Sequence, residues 1–444
     1  MDQNIIKDLG AGLVLRRAVS SDTEALAGFN GRIHAEPGST EPQEGVLSWV
    51  RDLMSLPHPT FEPEDFTIVE DTTSGQIVSS LNLINQTWSY AGVEFGVGRP
   101  ELVGTDPEYR RRGLVREQFN VIHQWSADRG HKLQAITGIP FYYRQFGYEM
   151  GLSLGGGRIG YLPHVIKLKE DEAEPYVLRD ATESDISFLM VVYNHACQRS
   201  RVSCVWDQAL WRYEINGRSQ KNIHTSKVMV IESIEGEPVG FLLHPPTVWS
   251  TNFQITGYEL KPGISWFDVT PSVIRYAVET GRQYAAEKEG VECQAYYFNL
   301  GAEHPVYEAF SERMPRLANP YAWYVRIADV PDFLAHIAPV LEERLAKSVL
   351  VGYTGELKLS FFRSGVKLTF EQGQLKESIA FQPDPSDEGD VLFPDLTFLR
   401  VLMGHTDFWD VEKFFADCFV RNDVARALVP ILFPKQNSDV WGVV

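Results

Sequence analysis

Residues Gly104–Ile122 read GTDPEYRRRGLVREQFNVI, with Arg110, Arg111 and Arg112 directly before Gly113. How that glycine and its arginines are used decides the fold. Upstream, ELVGT (Glu101–Thr105) has the character of a strand. Downstream, Val115, Phe119 and Ile122 fall on one face of a helix, and Gly130 is a natural C-cap. KLQAITG, from Lys132, supplies the next strand. Strand, glycine turn, helix and strand in that order predict a βαβ-like unit. A helix starting near Gly113 leaves its first N–H groups unpaired, and with the helix dipole they form an anion site. Glycine at 113 lets a ligand approach the backbone closely. Cations at a helix N-terminus are electrostatically misplaced unless an anion compensates them. The competing reading is a solvent-exposed basic turn.

Working outward, the sequence echoes itself. Leu15–Asp22 is LRRAVSSD and Leu178–Asp185 is LRDATESD, identical at five of eight positions. Each reads as a strand, then Ser21 or Ser184 as a helix N-cap, then a helical run. Ser21 with Glu24 forms a capping-box pattern. The echo predicts two related units starting about 160 residues apart. Phe66–Asp71 and Gln76–Asn85 read as paired strands around TTSG. LKEDEAEP (Leu168–Pro175) is an acidic linker. After residue 328, LAHIAPVLEERLAK is helical, and ELKLSFF with GVKLTFEQG alternates like a hairpin. The expected units are 1–172, 173–328 and 329–444. The expected fold class is α/β (α+β), with tandem mixed sheets flanked by helices and a third α+β unit.

At 444 residues about three domains are expected. A formal net charge of −18 repels nucleic acid and anionic membranes and favours small cationic substrates. Cys197, Cys204, Cys293 and Cys418 form no C-x-x-C pair and no zinc spacing, so no metal is expected and a reducing cytoplasm suits the chain. MDQNIIKDLG lacks a basic region followed by an apolar run, so no signal peptide is expected. No apolar stretch approaches the ~20 residues of a membrane span.

VGTDPEYRRRGLV resembles the acetyl-CoA motif of the GNAT acetyltransferases, [Q/R]-x-x-G-x-[G/A]. Arg110 and Gly113 fill its fixed positions. Val115 stands where that family prefers a small residue, and the RRRGL form resembles the Eis (enhanced intracellular survival) branch. The resemblance implies that the amides of Arg111, Arg112, Gly113, Leu114, Val115 and Arg116 hold the pyrophosphate of acetyl-CoA. It implies that Val103 and Thr105, flanking Gly104, take the pantetheine arm. YRQFGY (Tyr143–Tyr148) resembles the family's Y-x-x-x-G-[F/Y], whose first tyrosine protonates the leaving thiolate. Tyr142 is the rival of Tyr143 in that role. The chain as a whole is similar to the Eis-like layout: an active GNAT domain, a divergent second one, and a domain like sterol carrier proteins, to which GVKLTFEQGQL and LFP (Leu432–Pro434) compare. That layout implies a homo-oligomer, a hexamer among its forms. The second copy, WFDVTPSVIRYA, has no arginine cluster and no glycine at a helix start near residue 275, so no acetyl-CoA is expected there.

The implied reaction is direct acetyl transfer to a primary amine of an aminoglycoside-like or polyamine-like cation, or of a lysine. Eis-like enzymes use the C-terminal carboxylate as base, which here is Val444, though WGVV is not an aromatic-ended tail. Glu101 is the alternative, sharing strand parity with Val103. Glu36, Glu41, Glu44, Glu62 and Glu64 either favour a cationic acceptor or are solvated loop charges. Two other classes of function stay open: a lipid carrier with FLRVLMG and FFADCFV lining a tunnel, and a scaffold with a vestigial enzyme domain.

Overall fold

The computed structural model describes residues 4–139 and 141–442. The first stretch contains β1 (Ile5–Gly10), β2 (Leu13–Arg17), α1 (Thr23–Ile33), α2 (Glu44–Met54), β3 (Phe66–Asp71), β4 (Gln76–Tyr90), β5 (Val93–Thr105), α3 (Leu114–Asp128), β6 (Leu133–Ile136), β7 (Glu149–Leu154) and β8 (Gly157–Tyr161). The second contains β9 (Tyr176–Asp180), α4 (Ile186–Cys197), β10 (Val202–Cys204), α5 (Gln208–Arg212), β11 (Lys227–Ser233), β12 (Pro238–His244), β13 (Asn252–Ile255), β14 (Gly257–Leu260), α6 (Trp266–Ala286), β15 (Ala295–Phe298), β16 (Arg316–Ala318) and β17 (Tyr321–Arg326). The architecture is mixed α/β, as the sequence predicts. β5, α3 and β6 form the expected unit, with β5 and β6 parallel.

The echo is a structural repeat. Arg16 grips Asp22 with both terminal nitrogens (2.8 and 2.9 Å) and Glu70 through Nε (2.7 Å). Arg179 does the same with Asp185 (2.8 Å twice) and Glu232 (2.7 Å). These bidentate pairs fix the strand-to-helix corner of each unit. The serines do not cap as expected. Ser20–Asp22 and Glu183–Asp185 are short 3-10 turns. The aspartate that the arginine orients takes the free N–H instead, from Val19 in one copy and Thr182 in the other (2.8 Å each).

Arg179 holds the Asp185 carboxyl down at about 2, aided by the Thr182 N–H. A folded value below the unfolded one adds stability above the unfolded value, lost as pH falls through the folded one. Asp185→Asn is therefore expected to cost about 1 kcal/mol at pH 7, since Arg179 is partly solvated. In denaturant titrations the gap from the parent should narrow from pH 4 downward, and a gap independent of pH would contradict the assignment.

The two repeats trade strands. β17 lies between β6 and β7 in the first sheet, whose order is β1-β2-β3-β4-β5-β6-β17-β7 with β10 added on β4. In return, β8 lies between β15 and β16 in a sheet ordered β13-β15-β8-β16. β14-β12-β11-β9 completes the second repeat. Each unit's sheet thus needs a strand from the other side of the linker. The last stretch forms a five-stranded sheet whose hairpin, Gly355–Ser360 with Gly365–Glu371, alternates as expected: Leu357, Leu359, Val366, Leu368 and Phe370 are buried. LAHIAPVLEERLAK divides at Ile337 into two helices, Val330–His336 and Ala338–Ala346. Of the stretches considered as a tunnel lining, Phe398, Leu399, Val401 and Leu402 are buried in one continuous core with Trp88, Phe241 and Leu357, while Phe414 is exposed.

Candidate active site

β5 and β6 pair only at Val97 with Leu133 and Gly98 with Gln134, then part. Further along, β5 carries a bulge: Ser80 faces Gly104 and Asn82 faces Glu101, so Leu102 and Val103 together oppose one residue of β4. Leu102 has φ +53°. The bulge removes the strand parity expected between Glu101 and Val103, because the extra residue shifts every later side chain by one. A cleft of about 900 Å³ opens between the parted strands. Glu101, Val103, Gly104 and Thr105 line one wall, Thr137, Gly138 and Tyr143 the other, and residues 110–116 close one end.

That end is built as the sequence predicts. Asp106 accepts the Glu108 N–H and starts a short turn, Pro107–Tyr109. Arg111 then takes φ +64° and Gly113 φ +77°, and α3 starts at Leu114. A non-glycine residue at positive φ is strained by about 1–2 kcal/mol, so the turn is held there by its surroundings. The first helical bond runs from the Glu117 N–H to the Gly113 carbonyl (3.1 Å), and no side chain caps the helix. The N–H groups of Leu114, Val115 and Arg116 are thus left without helical partners. A Cβ at Gly113 would meet nothing within 4 Å. Glycine is needed at 113 for its backbone angle, and the open space beside it belongs to the cleft. α3 is pinned to the sheet by Gln118, which accepts from Ser79 Oγ (2.7 Å) and donates to Thr67 Oγ1 (3.1 Å).

Among the described residues, Arg110, Arg111, Arg112 and Arg116 form no ion pair. Arg110 Nε donates to the Thr105 carbonyl (3.3 Å) and Arg112 to the Glu108 carbonyl (3.3 Å). Arg116 donates to Gln145 Oε1 (2.9 Å) and lies over the Phe146 ring. Neutral acceptors leave four positive charges uncompensated around an open helix start. A diphosphate fits both features.

At the other end Tyr143 is 5% exposed. Burial, and then the charge of Glu101, push its hydroxyl well above the usual tyrosine range. Tyr142 also lines the cleft but is less buried. Tyr148 is spent elsewhere, on His123 Nε2 (2.9 Å). Burial raises the Glu101 carboxyl, opposed by the buried Arg99 that binds it. Val444 lies outside the described residues. The tail leading to it stacks Trp441 on Trp206 (3.9 Å between centroids) and sets Gly442 against Arg99.

The remaining wall of the cleft is not legible in the sequence. It consists of Ile33, Val46 and Trp49 together with Ile223 and His224 from beyond the linker. His224 meets Trp49 edge-on (4.4 Å). Its segment is tied to α2 by the Ser219 N–H, Ser219 Oγ and Asn222 Nδ2, all donating to Asp52. Burial brings the His224 imidazole down to about 3, so the ring is neutral. Glu36, Glu41, Glu44, Glu62 and Glu64 are exposed and do not line the cleft. They precede the sheet in sequence, but α2 and the Asp52 contacts hold the wall instead. In the second repeat, α6 starts at Trp266, earlier than expected, and the turn before it is KPGIS. Ser265 Oγ accepts the Asp268 N–H there (3.3 Å), so one of the first N–H groups of that helix already has a side-chain partner.

Residues 38–151 match the family model described as an acetyltransferase (GNAT) domain. The chain carries a GNAT acetyltransferase domain. It is an enzyme of the N-acetyltransferase type, and GNAT acetyltransferases use acetyl-CoA as co-substrate. No curated protein matches the sequence. Solved structures are similar over nearly the whole length. A GCN5-related N-acetyltransferase from Kribbella flavida is 16% identical with a TM-score of 0.66, covering 97% of this chain and 100% of its own. A probable N-acyltransferase of unknown function from Enterococcus faecalis V583 is 13% identical with a TM-score of 0.65, covering 97% and 99%. Eis1 from Mycobacterium abscessus is 12% identical with a TM-score of 0.57, covering 96% and 98%. At these identities the likeness is one of fold. Among the described residues no cluster of three or more His, Cys, Asp or Glu could hold a metal ion, and no helix is long and apolar enough to cross a membrane.

Proposed function

We propose that the GNAT domain binds acetyl-CoA with its diphosphate on the turn before α3 and transfers the acetyl group to a primary amine. The acceptor is a cationic small molecule, aminoglycoside-like or polyamine-like, or a lysine side chain. One observation carries this reading. A single cleft joins an open helix start, with four arginines that form no ion pair among the described residues, to a half-buried carboxylate and a protonated tyrosine. In this scheme the pantetheine arm runs along Val103, Gly104 and Thr105. The neutral amine attacks the thioester carbonyl, forming the C–N bond as the C–S bond breaks. Tyr143 gives its proton to the departing sulfur, and its high proton affinity keeps it protonated until then. Glu101 takes the amine proton, its basicity raised by burial. The Val444 carboxylate is the alternative base, since the tail reaches the Arg99 partner of Glu101.

The units at 1–172 and 173–328 are read as catalytic and buttressing GNAT-like domains, and 329–444 as a sterol-carrier-like domain. An Eis-like homo-oligomer, hexameric by that analogy, and a cytoplasmic setting complete the proposal.

Thiol release from acetyl-CoA with a panel of aminoglycosides, polyamines and lysine peptides tests it directly. At least one amine should raise release well above hydrolysis, and a flat panel would end the proposal. With an active amine, His224→Ala should raise the acceptor KM roughly tenfold by removing one wall of the pocket, leaving the acetyl-CoA KM unchanged.

A further inference from the structure

The second repeat keeps the cleft and inverts its chemistry. Strand registers traced outward from the two equivalent arginines show where. Arg16 faces Ile68, Ile68 faces Ser80, and Ser80 faces Gly104. Arg179 faces Val230, Val230 faces Phe241, and Phe241 faces Glu259. Glu259 therefore holds, in the second unit, the place of Gly104 in the first. A carboxylate now stands where the acetyl-transfer cleft has bare backbone.

A second cleft of about 200 Å³ opens beside it. Tyr258 and Glu259 of β14, Leu300 and His304 after β15, Arg199 after α4, and Trp441 of the tail contribute to its walls. Glu259 is 7% exposed and His304 8% exposed. Glu259 Oε1 accepts from Arg199 (2.6 Å), whereas Oε2 is buried with no hydrogen-bond partner among the described residues. His304 Nδ1 accepts the Val306 N–H (3.3 Å), and its Nε2 faces Glu259. That nitrogen lies 3.4 Å from Glu259 Oε1, within ion-pair reach. Burial works against the charge of Glu259, but His304 and Arg199 outweigh it and hold the carboxyl below its ordinary value. An ionised oxygen buried without a donor is costly, and a ligand that supplies the donor removes that cost. At the rim Glu303, Glu308 and Asp439 add negative charge, while Arg199 is the one guanidinium or ammonium group among the described lining residues. Anionic ligands are excluded by that balance. The volume has room for roughly six or seven water-sized groups.

We infer that this second cleft binds a small organic cation, a primary ammonium on a short carbon chain, which pairs with the Glu259 carboxylate and lays its chain against Leu300 and Trp441. The site is separate from the acetyl-transfer cleft and does not depend on which amine is acetylated.

Calorimetry of the full chain with n-butylamine, 1,4-diaminobutane and benzylamine, with butan-1-ol as the uncharged control, tests the site. At least one amine should give a saturable isotherm that the alcohol does not. Glu259→Gln should weaken it at least tenfold, and so should Asp439→Lys on the exposed rim. Unchanged acetyl-CoA affinity in both variants verifies that they fold. The inference is overturned if none of the three amines binds, or if both variants bind as the parent does. Loss of amine acetylation with this binding retained would count against the proposed reaction alone.

Discussion

Replacing Gly113 by glutamate should abolish acetyl-CoA binding, measured by calorimetry as a fall in affinity of more than about 100-fold. Two effects add. Any L-residue at φ +77° is strained by roughly 1–2 kcal/mol. The new carboxylate would also sit among the free N–H groups of α3 and compete with the diphosphate for them. The variant should still fold, since a Cβ at 113 meets nothing within 4 Å. Gly113→Ala separates the two effects. It bears only the backbone cost and should weaken binding about tenfold. Parent-like affinity in Gly113→Glu would place the diphosphate elsewhere and remove the basis of the proposed reaction.

Tyr143→Phe should lower kcat about 100-fold while the acetyl-CoA Kd stays within about twofold, as expected for loss of a general acid. The phenyl ring keeps the packing against Phe119 and Tyr324, so binding is preserved. A thioester whose thiol is strongly acidic needs no proton as it leaves, and with it the variant should approach the parent rate. Tyr142→Phe is the control and should stay within about twofold. A Tyr143→Phe enzyme with the parent's kcat would pass the role to Tyr142 or to water.

Both variants rest on residues legible in the sequence. The glycine turn, its arginines and the helix after it are local features: positive φ, unpaired N–H groups and a helical period are properties of neighbouring residues, so the chain order alone reveals them. The echo at Leu15 and Leu178 and the hairpin at Gly355 were readable for the same reason. The serines do not cap, because an arginine on the preceding strand orients the aspartate, a preference that residue statistics at the cap do not carry.

What the sequence by itself determined is therefore the kit of parts: two strand-to-helix corners, one glycine turn with its arginines at a helix start, one tyrosine in a short helix after the next strand. The tertiary structure alone decided the rest. The exchange of β8 and β17 pairs strands from opposite ends of two units. The bulge at Leu102 breaks the side-chain alternation of β5 beside the cleft. His224 and Trp49 form a wall from segments far apart in the chain, and Glu259 takes the place of Gly104. Each depends on contacts between residues distant in sequence, and hydrophobic period and turn chemistry carry no information about which distant strand or loop will be the partner.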